Sequence, residues 1–120
     1  MNNEQFLCYT AGFFDGEGSA WSSIYKNRLG NPSPKLTVKV AQVDRRPLEV
    51  IVEFFGCGRI YTKYDKRMQV NGWQECHEIH FAHKAARYFL TQIEPFLIVK
   101  KENISALLDK HGREYVYTKK

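Results

Sequence analysis

Residues 6–19 read FLCYTAGFFDGEGS, and the nine at their centre, TAGFFDGEG (10–18), decide how the rest of the chain is read. Their approach, NEQFLCYTAGFF (3–14), has the make-up of a helix. Asn2 or Asn3 is available as its N-cap, and Phe6, Leu7, Tyr9, Phe13 and Phe14 supply its apolar residues. Gly16 and Gly18 are expected to end it, leaving Glu17 just past the helix terminus. An acid there gains nothing from the helix dipole, which favours cations at that end. Ala11, Gly12 and Gly16 are small enough to let a second backbone approach closely, and Gly12 and Gly16 have the four-residue spacing of one helical face.

Downstream, residues 19–28 (SAWSSIYKNR) look extended, and Gly30, Asn31, Pro32 and Pro34 form a break rich in turn formers. Residues 35–42 (KLTVKVAQ) alternate, with Leu36, Val38 and Val40 on one face and Lys35, Thr37 and Lys39 on the other. A helix is expected over 47–55 (PLEVIVEFF), with Pro47 near its first turn and Gly56 and Gly58 past its end. A second hairpin follows from 59–64 (RIYTKY) and 73–81 (WQECHEIHF), joined by a polar loop holding Asn71-Gly72. Helices are expected at 83–92, stopped by Pro95, and at about 100–110, with a loose tail EYVYTKK. No internal repeat or linker interrupts this order, so the chain reads as a single α+β domain of residues 1–120.

The second hairpin also alternates, which places Lys35, Thr37, Lys39, Arg59, Tyr61 and Lys63 on one face of a four-stranded antiparallel sheet. Strand parity adds Trp21, Ser23 and Tyr25. Helices on the opposite side leave such a face open to solvent. A strand rises about 3.3 Å per residue, close to the spacing along one DNA strand, so a two-stranded ribbon can run in a major groove.

Composition and charge agree with one compact domain of 120 residues, 43% hydrophobic and 14% aromatic, which excludes a disordered chain. No apolar run reaches membrane-spanning length, and the acidic, lysine-free N-terminus is unlike a signal or transit peptide. Three cysteines without metal-type pairing (Cys8, Cys57, Cys76) fit a reducing compartment, so the expectation is a soluble intracellular protein. The net charge of +5 is uneven. Residues 1–25 carry three acids and no Lys or Arg, whereas 26–73 carry ten basic and four acidic residues. That basic middle suits a polyanionic partner. A zinc site at His77, His80 and His83 is not expected, because residues three apart on a strand point to opposite faces. His111 lies near the tail without an evident partner.

TAGFFDGEG closely resembles the signature of the LAGLIDADG homing endonucleases, with Thr10 in place of the leading Leu. The resemblance continues at VAQVDRRPLEVIVEFFGCGRIY (40–61) and FLTQIEPFLIVKKENI (89–104), in the family's order and over nearly the whole chain. It implies the LAGLIDADG homing endonuclease-like fold, α-ββ-α-ββ-α-α with helices on one face. One motif copy implies a homodimer packed through Ala11, Gly12 and Gly16, acting on double-stranded DNA with a palindromic or near-palindromic target.

By the same resemblance Glu17 is the essential acid and, with the Gly16 carbonyl, holds Mg²⁺. Scissile phosphates complete the shell, as suits a cation that takes few protein ligands. Two Glu17 carboxylates at a dimer axis repel, so metal and DNA are expected to bind interdependently. Gln42 aligns with a residue that organises water, Arg45 or Arg46 with a basic residue near the scissile phosphate, and Lys100 with the catalytic-site lysine. Asp15 is given a structural role at the helix junction. The activity implied is site-specific double-strand DNA cleavage, encoded by a mobile intron or intein. An RNA-splicing maturase acting on intron RNA and a DNA-binding regulator are the alternatives on this scaffold.

Overall fold

In a computed structural model, residues 1–63 and 75–118 are described. Helix α1 (Asn3–Glu17) leads directly into strand β1 (Gly18–Lys26), followed by β2 (Pro32–Gln42), α2 (Arg45–Phe55), β3 (Arg59–Lys63) and β4 (Cys76–Ala82). Helix α3 (Lys84–Ile93), a 3₁₀ turn (Glu94–Phe96) and α4 (Lys101–His111) complete the order. The Asn71-Gly72 loop, Tyr64 and residues 73–74, expected at the strand ends, lie outside the described residues. The strands pair antiparallel in the order β1-β2-β4-β3.

Most elements form where expected, with local chemistry that explains their ends. Asn2 caps α1 in a reciprocal pair: its side chain accepts from the Gln5 amide, and Gln5 accepts from the Asn2 amide. The helix does not stop at Phe14 but continues through Asp15, Gly16 and Glu17, so Glu17 is its last residue rather than a residue beyond it. Gly18 then turns into β1 against the ring of Phe14, where a Cβ would lie 2.1 Å from the nearest ring carbon. Only glycine fits this junction. The first turn falls earlier than expected, since Asn27 Oδ1 accepts from the amides of Leu29 and Asn31, and Pro32 and Pro34 belong to β2. Both prolines lie where β4 does not flank β2, the edge position that tolerates a missing donor. Asp44 caps α2, and Gly56 ends it in the left-handed conformation.

Leu36, Val38, Val40, Ile79 and Phe81 project from the covered face of the sheet into a core closed by the helices. Phe89 of α3 is its centre, stacked on Phe81 at 4.3 Å and edge-on to Phe55 and Phe14 at 4.8 and 5.9 Å. Truncating such a residue to alanine costs about 3–5 kcal/mol.

The tail differs from expectation. Residues 113–118 are strapped along α3 rather than loose. Arg113 forms a two-pronged ion pair with Glu94 (2.9 and 2.6 Å), the Glu114 amide donates to Thr91 Oγ1, and Tyr117 packs on Tyr88. His111 also has a partner, Ser22 Oγ at 2.9 Å. Both contacts join segments far apart in the chain, which no local pattern announces. No helix of the described residues is long and apolar enough to cross a membrane.

Candidate active site and nucleic-acid interface

The end of α1 is tied to the segment after the 3₁₀ turn. The Asp15 carboxylate accepts from the backbone amides of Ile98 (2.8 Å) and Lys100 (3.0 Å). Burial pushes its pKa up, but those amides, that of Val99 and the Lys100 charge prevail and hold it below the ordinary 3.8. The Lys100 ammonium donates to the carbonyls of Phe14 (3.0 Å), Asp15 (3.0 Å) and Gly18 (2.6 Å). The last turn of α1 has no basic residue of its own, so a lysine from 85 positions downstream supplies the cation its dipole favours. Lys100 skips the carbonyls of Gly16 and Glu17, the two residues of the expected metal site. Glu17 itself is exposed and makes no ion pair among the described residues.

The outward stripe of α1 is open. Gln5, Cys8, Tyr9, Gly12 and Gly16 are exposed along it, and a Cβ built on either glycine meets nothing within 4 Å. Ala11 departs from the expected interface: it is fully buried against the protomer's own core, because it lies about 100° around the helix from Gly12. Exposed apolar residues flank the stripe, with Val50 and Phe54 on α2 and Ile98 and Val99 in the loop that Asp15 holds.

Gln42, Arg45 and Arg46 lie farther along the same end of the sheet. Gly18 pairs with Val40, which puts Gln42 on the neighbouring strand two residues beyond the start of β1. Gln42 Oε1 accepts from the Val43 amide. Arg45 is not brought to Glu17 in this protomer. Its guanidinium donates to Thr62 on β3 (3.4 Å) and pairs with Glu49, three strand spacings or roughly 14 Å from the β1 edge. Thr62 in turn meets His77 Nδ1 at 2.9 Å. Arg46 is held by Asp44, whose carboxyl this bond keeps at about 2. Sequence reasoning missed the Arg45–Thr62–His77 chain, since only sheet register makes it visible.

The nine residues expected on the open sheet face do share it. Trp21 is opposite Thr37, Ser23 opposite Lys35 and Tyr25 opposite Ser33, while Lys39 and Arg59 flank His80, and Tyr61 and Lys63 face Glu78 and Cys76. Residues directly opposite on antiparallel strands project to one side. His77 and His80 fall on opposite faces. The sequence reading left the facing of β4 open, and that strand contributes an unforeseen acid. Glu78 lies in the middle of the basic face, buried, with Lys39, Lys63 and His80 against its carboxylate.

An open-faced antiparallel sheet under helices, with a motif helix ending in an exposed acid, can now be set beside known proteins. The sequence model of the LAGLIDADG endonuclease family matches residues 10–89. The chain belongs to this family. It is similar to the DNA endonuclease I-CreI of Chlamydomonas reinhardtii, at 32% identity over 110 residues, covering 88% of this chain and 62% of the relative. Among solved structures it is similar in fold to the homing endonuclease I-CvuI in complex with the I-CreI target. That match has a TM-score of 0.69 at 19% identity and covers 88% of this chain and 65% of the other. A second is the archaeal intron-encoded homing endonuclease I-Vdi141I complexed with DNA, with a TM-score of 0.68 at 24% identity, covering 90% and 67%. This LAGLIDADG chain thus spans less than two thirds of the length of I-CreI and of I-CvuI.

Proposed function

We propose that this LAGLIDADG chain is one protomer of a homodimeric homing endonuclease that hydrolyses both strands of a palindromic or near-palindromic DNA target with a divalent cation, Mg²⁺. The observation that carries the reading is the exposed Glu17 carboxylate, unpaired among the described residues, at the end of a helix whose outward stripe is open. A second copy laid on Gly12 and Gly16 brings two such carboxylates together. The donor set fits a hard cation, because a carboxylate and a backbone carbonyl are oxygen ligands, too few for a protein cage and enough alongside phosphate oxygens and water. When bound, the cation activates an attacking water and offsets charge on the phosphate and leaving oxygen.

The chain's own residues have separable tasks. Glu17 and the Gly16 carbonyl hold the cation. Asp15 and Lys100 fix the junction that presents them, and the Gln42 amide, with its donors turned from the Val43 contact, orients water. The residues of the open sheet face meet the flanking duplex. Selection of cleaved sites from a randomised DNA library tests the whole proposal. Recovery of a symmetric site in Mg²⁺, with binding but no cutting in Ca²⁺, is the expected result. Absence of any cut site in Mg²⁺ or Mn²⁺ would overturn it.

A further inference from the structure

Glu78 is an acid in the centre of a face that is otherwise basic, and it is withdrawn from solvent. Its residue exposure is 5%, and three groups from three strands converge on it: Lys39 of β2 at 2.8 Å, Lys63 of β3 at 3.2 Å and His80 of β4 itself at 3.1 Å. Tyr61 lies directly opposite on β3, with its ring 4.7 Å from that of His80. On the β2 side the opposite residue is Ala41. Burial acts to raise the Glu78 pKa, but the bonds from Lys39, His80 and Lys63 prevail and hold it at about 2, so the carboxylate is charged at neutral pH.

We infer that Glu78 is a positioning residue for base readout, orienting Lys39 and Lys63 so that they read the major groove rather than serve as mobile phosphate contacts. The inference rests on the proposal that this face meets DNA. An unrestrained lysine is a flexible point charge that follows the nearest phosphate and carries no sequence information. Here one of the three ammonium donors on each lysine is committed to a buried acceptor, which aims the remaining two along fixed directions. Such donors suit paired acceptors on a base edge, guanine N7 and O6. The carboxylate also cancels one of the two lysine charges, which lowers attraction to DNA of any sequence. Arg59 has no such tether among the described residues and reads its base independently.

The test is equilibrium binding in Ca²⁺ to the selected target, its single-base variants and a scrambled duplex, each at several salt concentrations. For Glu78→Gln we expect tighter binding to the scrambled duplex and a salt slope steeper by about one, as a released lysine takes a phosphate. At one or two base positions we expect selectivity to fall about tenfold. A role in folding alone would weaken specific and non-specific binding together and leave their ratio intact, and that result overturns the inference. If Glu78→Gln does not fold, Glu78→Asp decides. It keeps the charge but shortens the reach, so the salt slope should stay while selectivity falls, and unchanged selectivity refutes the positioning role. Lys39→Ala and Arg59→Ala separate the two levels. If neither alters binding to any duplex, the face does not meet DNA and the functional reading has failed, whatever Glu78 does.

Discussion

The two ends of this molecule's chemistry each centre on a glutamate, and the two are handled in opposite ways. Glu17 closes the motif helix, exposed, without an ion pair among the described residues, at the terminus where the helix dipole disfavours an anion. The protein brings a cation to this helix end, Lys100, but gives its ammonium to the carbonyls of Phe14, Asp15 and Gly18. Glu78 is buried and fully occupied by two lysines and a histidine. An acid left open at a braced backbone junction is suited to an external cation. An acid saturated from within acts on the direction of its neighbours instead. The difference is one of supply, since both sites have lysine to hand and only one gives it to the carboxylate.

The largest effect expected from breaking this contrast is at Glu17. Glu17→Gln keeps the shape and removes the charge, so cleavage should fall by about 10³-fold or more, the several kcal/mol that a bound cation supplies. DNA affinity in Ca²⁺ should change little. Plasmid cleavage and anisotropy on the same preparation check both, and wild-type cutting would remove Glu17 from the centre.

Glycines on the two sides of α1 come next. Gly18→Ala forces a Cβ into the Phe14 ring and should destabilise the protomer by about 1–3 kcal/mol, a melting-temperature loss of roughly 5–10 °C. Gly12→Leu meets open space in the protomer, so the folded monomer should keep its far-UV circular dichroism while sedimentation shows dimer converted to monomer and double-strand cutting is lost. A dimer that survives Gly12→Leu would place the interface elsewhere.

On the sheet face, Arg59→Ala should cost about 1–3 kcal/mol at one base position and relax preference there. Lys35→Ala, with no acid tethering it among the described residues, should weaken every sequence alike and lower the salt slope by about one. Cleavage profiles over single-base variants at two salt concentrations distinguish the two kinds of loss.

The smallest effect expected is on acid stability. Glu78 is lowered from the ordinary 4.5 to about 2, and Asp15 is also lowered, so the unfolded chain binds more protons than the folded one in this range. Their stabilisation is fully present above about pH 4.5 and is lost as the pH falls toward 2. Thermal melts from pH 6 to pH 2.5 should show this decline, and Glu78→Gln should flatten it.

Much of this could be read from residues in order. Alternation in 35–42 and 59–63 assigned six side chains to one sheet face and strand parity in the first strand added Trp21, Ser23 and Tyr25, because parity is a local property that survives any packing. The motif announced a helix ending in an acid among glycines, and its resemblance to the family gave Asp15 a structural role at the junction. What lay beyond local pattern came from groups far apart in the chain. Whether a small residue of α1 faced inward or outward depended on where the core lay, so Ala11 turned in while Gly12 and Gly16 stayed open. Lys100, 85 residues beyond Asp15, braces the end of that helix through the carbonyls of Phe14, Asp15 and Gly18. Arg45 went to Thr62 and the tail to α3 by the same long-range pairing. Glu78 shows the reason most plainly. The sequence alone determined that it was an acid on a strand, but the length of the β3–β4 connection left its register open. Only the pairing of β4 with both β2 and β3 decided that it would lie among Lys39, Lys63 and His80, where a carboxylate becomes the organiser of a basic surface.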